Sequence, residues 1–250
     1  MKKHQDIFVS VVIPTFNRAS LLRRSISSVL KQTYSNLELI IVDDGSTDNT
    51  KDVVDSFKDP RIKYIKHKIN KNGAIARNTG IKAAKGKYIA FLDSDDEWVS
   101  EKIQKQLDWV LKFSEDDNFA CYTQVIKKTN RSKTIRPKRG KSSKESLADY
   151  LFINRGLMQT STLLIPRSLL MKVQFRDLDY HQDWDLCLRL EQLGVKFIFL
   201  ESPLTIWHIH SQGGRVSKNI GYHDSLNWIE KYKNNISPES YSAFLKKRNK

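Results

Sequence analysis

Four acids occupy five positions in Asp93-Ser-Asp95-Asp96-Glu97, directly after the apolar run Tyr88–Leu92. Two carboxylates about 4 Å apart at an effective dielectric of ~20 repel by about 4 kcal/mol. They must splay into water or share a cation. Hard oxygen ligands suit Mg2+ or Mn2+, ions usually shared with substrate phosphates. The same run also reads as a helix cap whose acids complement the dipole. Arg77 falls on the stripe Ala74, Arg77, Ile81, Ala84 of an expected helix. An arginine on a buried face needs an anion, either a core carboxylate or a ligand phosphate. In His181-Gln-Asp-Trp-Asp-Leu-Cys-Leu-Arg-Leu190, Asp183 precedes Leu186 and Cys187 by three and four positions and continues their inward stripe. It is either a cap or a catalytic base. Asp185 sits about 200° around the same helix and is expected to face elsewhere. His208 and His210 alternate on an expected strand, so both face one side, where they either pack or bind metal.

The elements that must position these residues are legible from periodicity. Val9–Ile13, Leu37–Val42, Ile62–Ile65 and Tyr88–Leu92 are short, β-branched or aromatic runs and read as strands. Between them lie helix patterns: Leu22, Ile26, Val29 and Leu30; Val53, Val54 and Phe57; and Gly73–Ala84. This alternation predicts an α/β fold, a mostly parallel sheet flanked by helices. Such sheets bind ligands at the carboxyl ends of their strands, where Thr15–Arg18, Asp43–Asp48 and Asp93–Glu97 fall. Further on, Val99, Ile103, Leu107, Val110 and Leu111 mark an amphipathic helix, and Phe119–Ile126 a strand. Helices are expected near Ser143–Asn154 and His181–Leu193, with strands at Ser161–Ile165, Lys196–Leu200 and Leu204–His208. The last thirty residues look helical.

The 250 residues carry 43 Lys+Arg against 28 Asp+Glu, a formal charge of +15. Nine bases and no acid lie between Lys127 and Lys144, which reads as a basic loop or hairpin. No apolar run reaches membrane-spanning length. Lys2 and Lys3 before Ile7–Ile13 loosely imitate a secretion signal, but Asp6, Pro14 and Asn17-Arg18 favour a first strand. Cys121 and Cys187 are far apart in sequence, which argues against a disulfide framework and fits a reducing, cytoplasmic setting. Phosphate-loop, dinucleotide, zincin and α/β-hydrolase signatures are absent. The charge admits a nucleic-acid-binding reading, yet the bases sit in a loop and tail rather than on a recognition helix. A nucleotidyltransferase would need a Gly-rich, basic triphosphate loop where Pro14-Thr-Phe-Asn17 stands.

Val9-Ser-Val-Val-Ile-Pro-Thr-Phe-Asn17, Val42-Asp-Asp-Gly-Ser-Thr-Asp48, Gly73-Ala-Ile-Ala-Arg-Asn-Thr-Gly80 and Phe91-Leu-Asp-Ser-Asp-Asp-Glu-Trp98 closely resemble the family 2 glycosyltransferases. The match spans the segment up to residue 110, returns at Gln182–Arg189 and is fainter at His208–Ser217. The resemblance implies a GT-A fold. Residues 1–110 would be its nucleotide-sugar half, 111–220 its acceptor-side and catalytic-base half, and 221–250 a basic helical tail. It implies an inverting, metal-dependent transfer from a UDP-sugar to a saccharide or lipid-linked saccharide of a bacterial surface polysaccharide. Pro14, Thr15, Asn17 and Asp44 would hold base and ribose, with Arg77 near the base or phosphates. Asp93 and Asp95 match the DxD motif, Asp95 as ligand to Mn2+ or Mg2+ and Asp93 acting through ribose or water. His210 matches a residue near the metal, and Asp183 matches the base. Many relatives carry Glu just before that base; Gln182 removes this charge, so any elevation of the Asp183 pKa is expected to come from burial. No nucleic-acid partner is expected. The basic loop and tail would suit the inner face of the cytoplasmic membrane, where the enzyme would sit peripherally.

Overall fold

The computed structural model describes residues 6–113, 116–209 and 221–248. One sheet organises them. Its first half is β1 (Val9–Thr15), β2 (Leu37–Asp43), β3 (Ile62–Lys66) and β4 (Tyr88–Phe91), in the parallel order β3-β2-β1-β4. Every residue of β1 and β4 is buried, because helices cover both faces, which is why these strands read as unbroken apolar runs. Helices α1 (Ala19–Leu30), α2 (Thr50–Asp55) and α3 (Gly73–Ala83) form the crossovers. Helix α3 lies so close to β1 that a Cβ on Gly80 would stand 2.3 Å from a methyl of Val12. Only glycine fits there, and the contact holds the helix bearing Arg77 against the central strand.

The second half turns the sheet mixed. After β5 (Glu97–Trp98) and α4 (Lys102–Phe113) come β6 (Phe119–Lys128), β7 (Lys133–Arg136), β8 (Leu164–Pro166) and β9 (Lys196–His208). The order continues β4-β8-β6-β9-β5, with β7 paired to β6. The basic stretch is thus partly a hairpin. Helices α5 (Arg167–Lys172), α6 (Gln182–Gln192), α7 (Tyr222–Glu230) and α8 (Pro238–Arg248) complete the chain.

Three expectations need correction. The helix expected over Ser143–Asn154 shrinks to a π-helical turn, Asp149–Ile153, with Asn154 N–H bonded to the Asp149 carbonyl. Glu191 captures the Leu147 N–H from outside at 2.8 and 2.9 Å, so the segment is held by tertiary bonds. The two strands expected over residues 196–208 are one, since a bulge where Pro203 faces Gln124 absorbs the missing donor. The strand expected at Ser161 begins only at Leu164, because residues Thr160–Thr162 curl into a 3-10 turn.

Lys102, on α4, lies fully buried in the core, its Nζ 2.6 Å from Gln106 Oε1 and 4.0 Å from the Trp98 ring centre. Burial pulls its pKa down to about 7. Between that value and the ordinary lysine value the unfolded chain keeps a proton that the folded chain sheds, so this group makes stability rise with pH across the window; below pH 7 its full cost is present. Lys102→Met is expected to stabilise the protein by about 1–2 kcal/mol at pH 7 and by less at pH 9.5. Urea unfolding of both proteins at the two pH values checks this; a destabilised Met variant would show that Trp98 and Gln106 fully compensate the charge.

Candidate functional site

The carboxyl ends of β1, β2 and β4 open onto a cleft of about 700 Å³. Pro14, Thr15, Asn17, Asp44, Arg77, Asp93, Asp95 and Asp183 all line it. His210 lies outside the described residues. Phe16, Gln159, Thr160, Gln182 and Trp207 complete much of the wall.

The acidic run separates its four charges. Asp93 and Asp95 face the cleft, whereas Asp96 is 1% exposed. The Asp96 carboxylate accepts from Gln159 Nε2 at 2.6 Å and Ser161 Oγ at 3.0 Å, and its Oδ1 from His208 N–H at 3.3 Å. Glu97 turns to His208 Nε2 at 3.1 Å. Burial and the nearby Arg24 charge lower the His208 pKa against the pull of Glu97. His208 is therefore packed and hydrogen-bonded within the fold. The backbone of the run is held from beneath. Ser25 Oγ lies within hydrogen-bonding distance of the carbonyls of Ser94 and Asp96 at 2.9 and 2.7 Å, and Arg24 donates to that of Asp95 at 2.5 Å. Ser161 Oγ accepts the Asp93 N–H at 3.0 Å. Ser25 had a legible signal, a hydroxyl on the apolar stripe of Leu22 and Ile26. Ser161 had none, since its importance depends on the turn it occupies.

Arg77 meets a carboxylate of the fold on the cleft wall: its Nη2 is 2.5 Å from Asp93 Oδ1. Nη1 donates to Gln182 Oε1 at 2.7 Å, and the guanidinium lies 5.5 Å from the Phe175 ring centre. Gly73 makes room, because a Cβ there would stand 3.1 Å from Nη1. Arg77 Nε and Thr15 Oγ1 are enclosed and find no partner among the described residues. Asp44 is 2% exposed and accepts the Lys71 N–H at 3.0 Å, with His67 Nδ1 at 2.7 Å from its other oxygen. Asn17, at φ 50°, uses its Oδ1 to accept the Thr47 N–H at 2.9 Å and so fastens the loop after β2. Asp95 has Arg18 beside it at 3.4 Å. Among the described residues no three acids, histidines or cysteines form a ready metal cluster. Asp95 nevertheless fits a hard cation of the kind that takes one or two carboxylates and completes its shell with phosphate and water.

The two acids at the start of α6 have opposite fates. Asp183 lies on the cleft, its Oδ1 accepting the Trp184 N–H at 2.9 Å. Desolvation raises its pKa to about 6; the Trp184 N–H and Arg77 oppose the shift, and Asp93 adds to it. Burial is thus the main cause, with a like charge contributing from across the cleft rather than from position 182. Asp185 faces away from Asp183, but into the protein: it is fully buried. Arg189 Nε donates to it at 2.8 Å and Tyr232 Oη at 2.6 Å, with Arg176 at 3.5 Å. It is an anchor between α6 and the C-terminal helices, which the angular reading alone could not show.

A family model described as "Glycosyl transferase family 2" matches residues 10–174. The chain is 36% identical over 242 residues to the amylovoran biosynthesis glycosyltransferase AmsB of Erwinia amylovora, covering 93% of this chain and 80% of that one. It is 34% identical over 211 residues to the Escherichia coli UDP-Glc:alpha-D-GlcNAc-diphosphoundecaprenol beta-1,3-glucosyltransferase WfaP, covering 84% and 80%. Among solved structures, the mannosyltransferase PcManGT of Pyrobaculum calidifontis, in complex with GDP-Man and Mn2+, superposes with a TM-score of 0.70 at 18% identity, over 95% of this chain and 67% of that one. S. aureus TarS 1-349 with UDP-GlcNAc gives 0.69 at 18%, over 97% and 72%. These likenesses establish a GT-A fold.

The contrast between the two acids is measurable as stability. Asp185→Asn leaves Arg189 without its buried counter-charge and is expected to cost about 3 kcal/mol. Asp183→Asn removes a carboxylate whose ionised form burial disfavours, so at pH 8 it is expected to leave stability unchanged or slightly higher. Urea titration of both variants decides; equal losses would mean that Asp183 is also a structural anchor.

Proposed function

The chain belongs to glycosyl transferase family 2, and from that premise we propose a metal-dependent, inverting transfer of a sugar from a UDP-sugar to a lipid-linked saccharide acceptor. The observation that carries this reading is one cleft shared by Asp93, Asp95 and Arg77, and by the desolvated carboxylate Asp183. The roles of AmsB in amylovoran biosynthesis and of WfaP on alpha-D-GlcNAc-diphosphoundecaprenol support an acceptor from the synthesis of a bacterial surface polysaccharide. Among the described residues no helix is long and apolar enough to cross a membrane. The enzyme would then meet such an acceptor from the cytoplasmic side of the membrane surface.

The chemistry divides between the ends of the cleft. Pro14, Thr15, Asn17 and Asp44 would receive base and ribose, Asp44 with lone pairs left after the Lys71 N–H and His67 are counted. Arg77 brings a buried positive charge towards the diphosphate, and Asp93 orients that guanidinium. Asp95 would hold Mn2+ or Mg2+, which when bound neutralises charge on the departing diphosphate. Asp183 takes the proton of the acceptor hydroxyl as its oxygen bonds to the anomeric carbon and the bond to the diphosphate breaks. A single displacement with one base inverts the anomeric configuration.

Three measurements test the roles. Asp183→Asn is expected to lower transfer by ~10²–10⁴-fold while UDP affinity is retained. In the wild type, transfer should fall about tenfold per unit below pH 6, as Asp183 takes up its proton; a rate flat from pH 7 to 5 would assign the proton to another group. Asp95→Asn should keep the fold and abolish the gain in UDP affinity that Mn2+ gives, read by calorimetry with and without the ion; an undiminished gain would remove Asp95 from the metal site.

A further inference from the structure

Of the nine bases between Lys127 and Lys144, some form ion pairs. Arg139 pairs with Glu145 at 2.5 Å and Lys141 with Glu191 at 3.3 Å. Those on the β6–β7 hairpin do not: Lys128, Arg131 and Lys133 are exposed and make no ion pair among the described residues.

Cross-strand register adds a second, independent observation. Ile126 stands opposite Ile135 on β7 and opposite Ile206 on β9, and Lys128 stands opposite Lys133. Directly paired residues share a face of the sheet. One face of this ribbon is therefore a row of three isoleucines, closed at the inner edge by Glu97, which is tied to His208, with two lysines at its open end. Ile135, in the edge strand, is 50% exposed. The opposite face carries Lys127 beside Trp207, 5.8 Å from Nζ to ring centre, and Trp207 lines the cleft. An apolar row on an edge strand is a liability in water unless it has an occupant. Phosphates alone would satisfy the lysines and leave the isoleucines wet, and the ring that the register puts on this face, His208 opposite Lys128, is buried and held by Glu97, so it offers no base a stacking surface. A lipid surface satisfies both, because its phosphates and its acyl boundary lie within a few ångströms of each other.

We propose that the β6–β7 ribbon is a docking surface for an anionic phospholipid bilayer, with Lys128, Arg131 and Lys133 at the headgroup phosphates and Ile135 at the acyl boundary. Docking there brings the ribbon to the lipid surface, with the Trp207 rim of the cleft on its other face. That last step deepens the proposed function and rests on its lipid-linked acceptor, whereas the docking itself does not.

The test is sedimentation of the full chain with phosphatidylcholine vesicles, with and without phosphatidylglycerol, alongside UDP binding in the absence of lipid. The protein should partition onto the anionic vesicles only, and less as salt rises. Lys128→Gln with Lys133→Gln should weaken this about 25-fold, at about fivefold per charge. Ile135→Ser should weaken it severalfold at high salt, and UDP binding should be unchanged in all variants. Equal partitioning onto neutral vesicles, indifference to these substitutions, or tighter binding to duplex DNA than to anionic vesicles at one ionic strength would each overturn the assignment. Loss of UDP binding in the wild type, with vesicle binding intact, would strike the proposed function and leave the docking surface standing.

Discussion

The immobilised loop that follows β4 is the constraint on which the site depends. Asp93, Asp95, Asp96 and Glu97 cannot crowd together without repelling one another, so the fold must decide where each points. It does so through the backbone: Ser25 and Arg24 reach up from α1 to three carbonyls of the loop. Once those carbonyls are fixed, Asp96 is turned down into Gln159 and Ser161 and Glu97 out to His208. Only Asp93 and Asp95 then remain for the cleft. The 3-10 turn at Thr160–Thr162 exists in the same network, since the Ser161 carbonyl also accepts Trp98 Nε1 at 2.8 Å and Thr205 Oγ1 at 3.0 Å.

The opposite wall obeys a different logic. Helix α6 is fastened by its back, where Asp185 meets Arg189 and Tyr232, and works through its front, where Asp183 meets the cleft. His181, just before it, sits in the left-handed region at φ 60° with its ring stacked on Trp184 and its Nε2 3.0 Å from Ser225 Oγ. Such a conformation persists in a non-glycine residue when its surroundings over-determine it. The C-terminal helices supply those surroundings through Ser225, Trp228 and Phe244.

Much of this was legible in the sequence because burial on both faces leaves a plain mark. β1, β2, β3 and β4 and their crossover helices lie within a few residues of where periodicity places them, and the strand-end clusters converge as the topology requires. What escaped depends on partners distant in sequence. Asp185 carries the same letter as Asp183, and it is Tyr232, distant in sequence, that joins Arg189 and Arg176 in making it an anchor. Arg77 had two admissible anions, and Asp93 is the one the fold supplies. The strand hidden across Pro203 broke the expected pattern because a bulge, invisible to alternation counts, carries the ladder past a residue with no N–H.

The pairing of β5 has a consequence for the order in which the chain can assemble as it is synthesised. Residues 9–91 hold the whole parallel half of the sheet and can close on themselves early. β5, which ends the acidic loop, pairs only with β9, matching Glu97 to Ile206 and Trp98 to Thr205. At about 5–20 residues per second the intervening hundred or so residues take several seconds to leave the ribosome. Through that interval one wall of the cleft is framed while its acidic loop lacks a partner at one end. The strand-end wall of the cleft can thus be templated before Asp183 joins it, and the acidic loop gains its last partner only once β9 has been made.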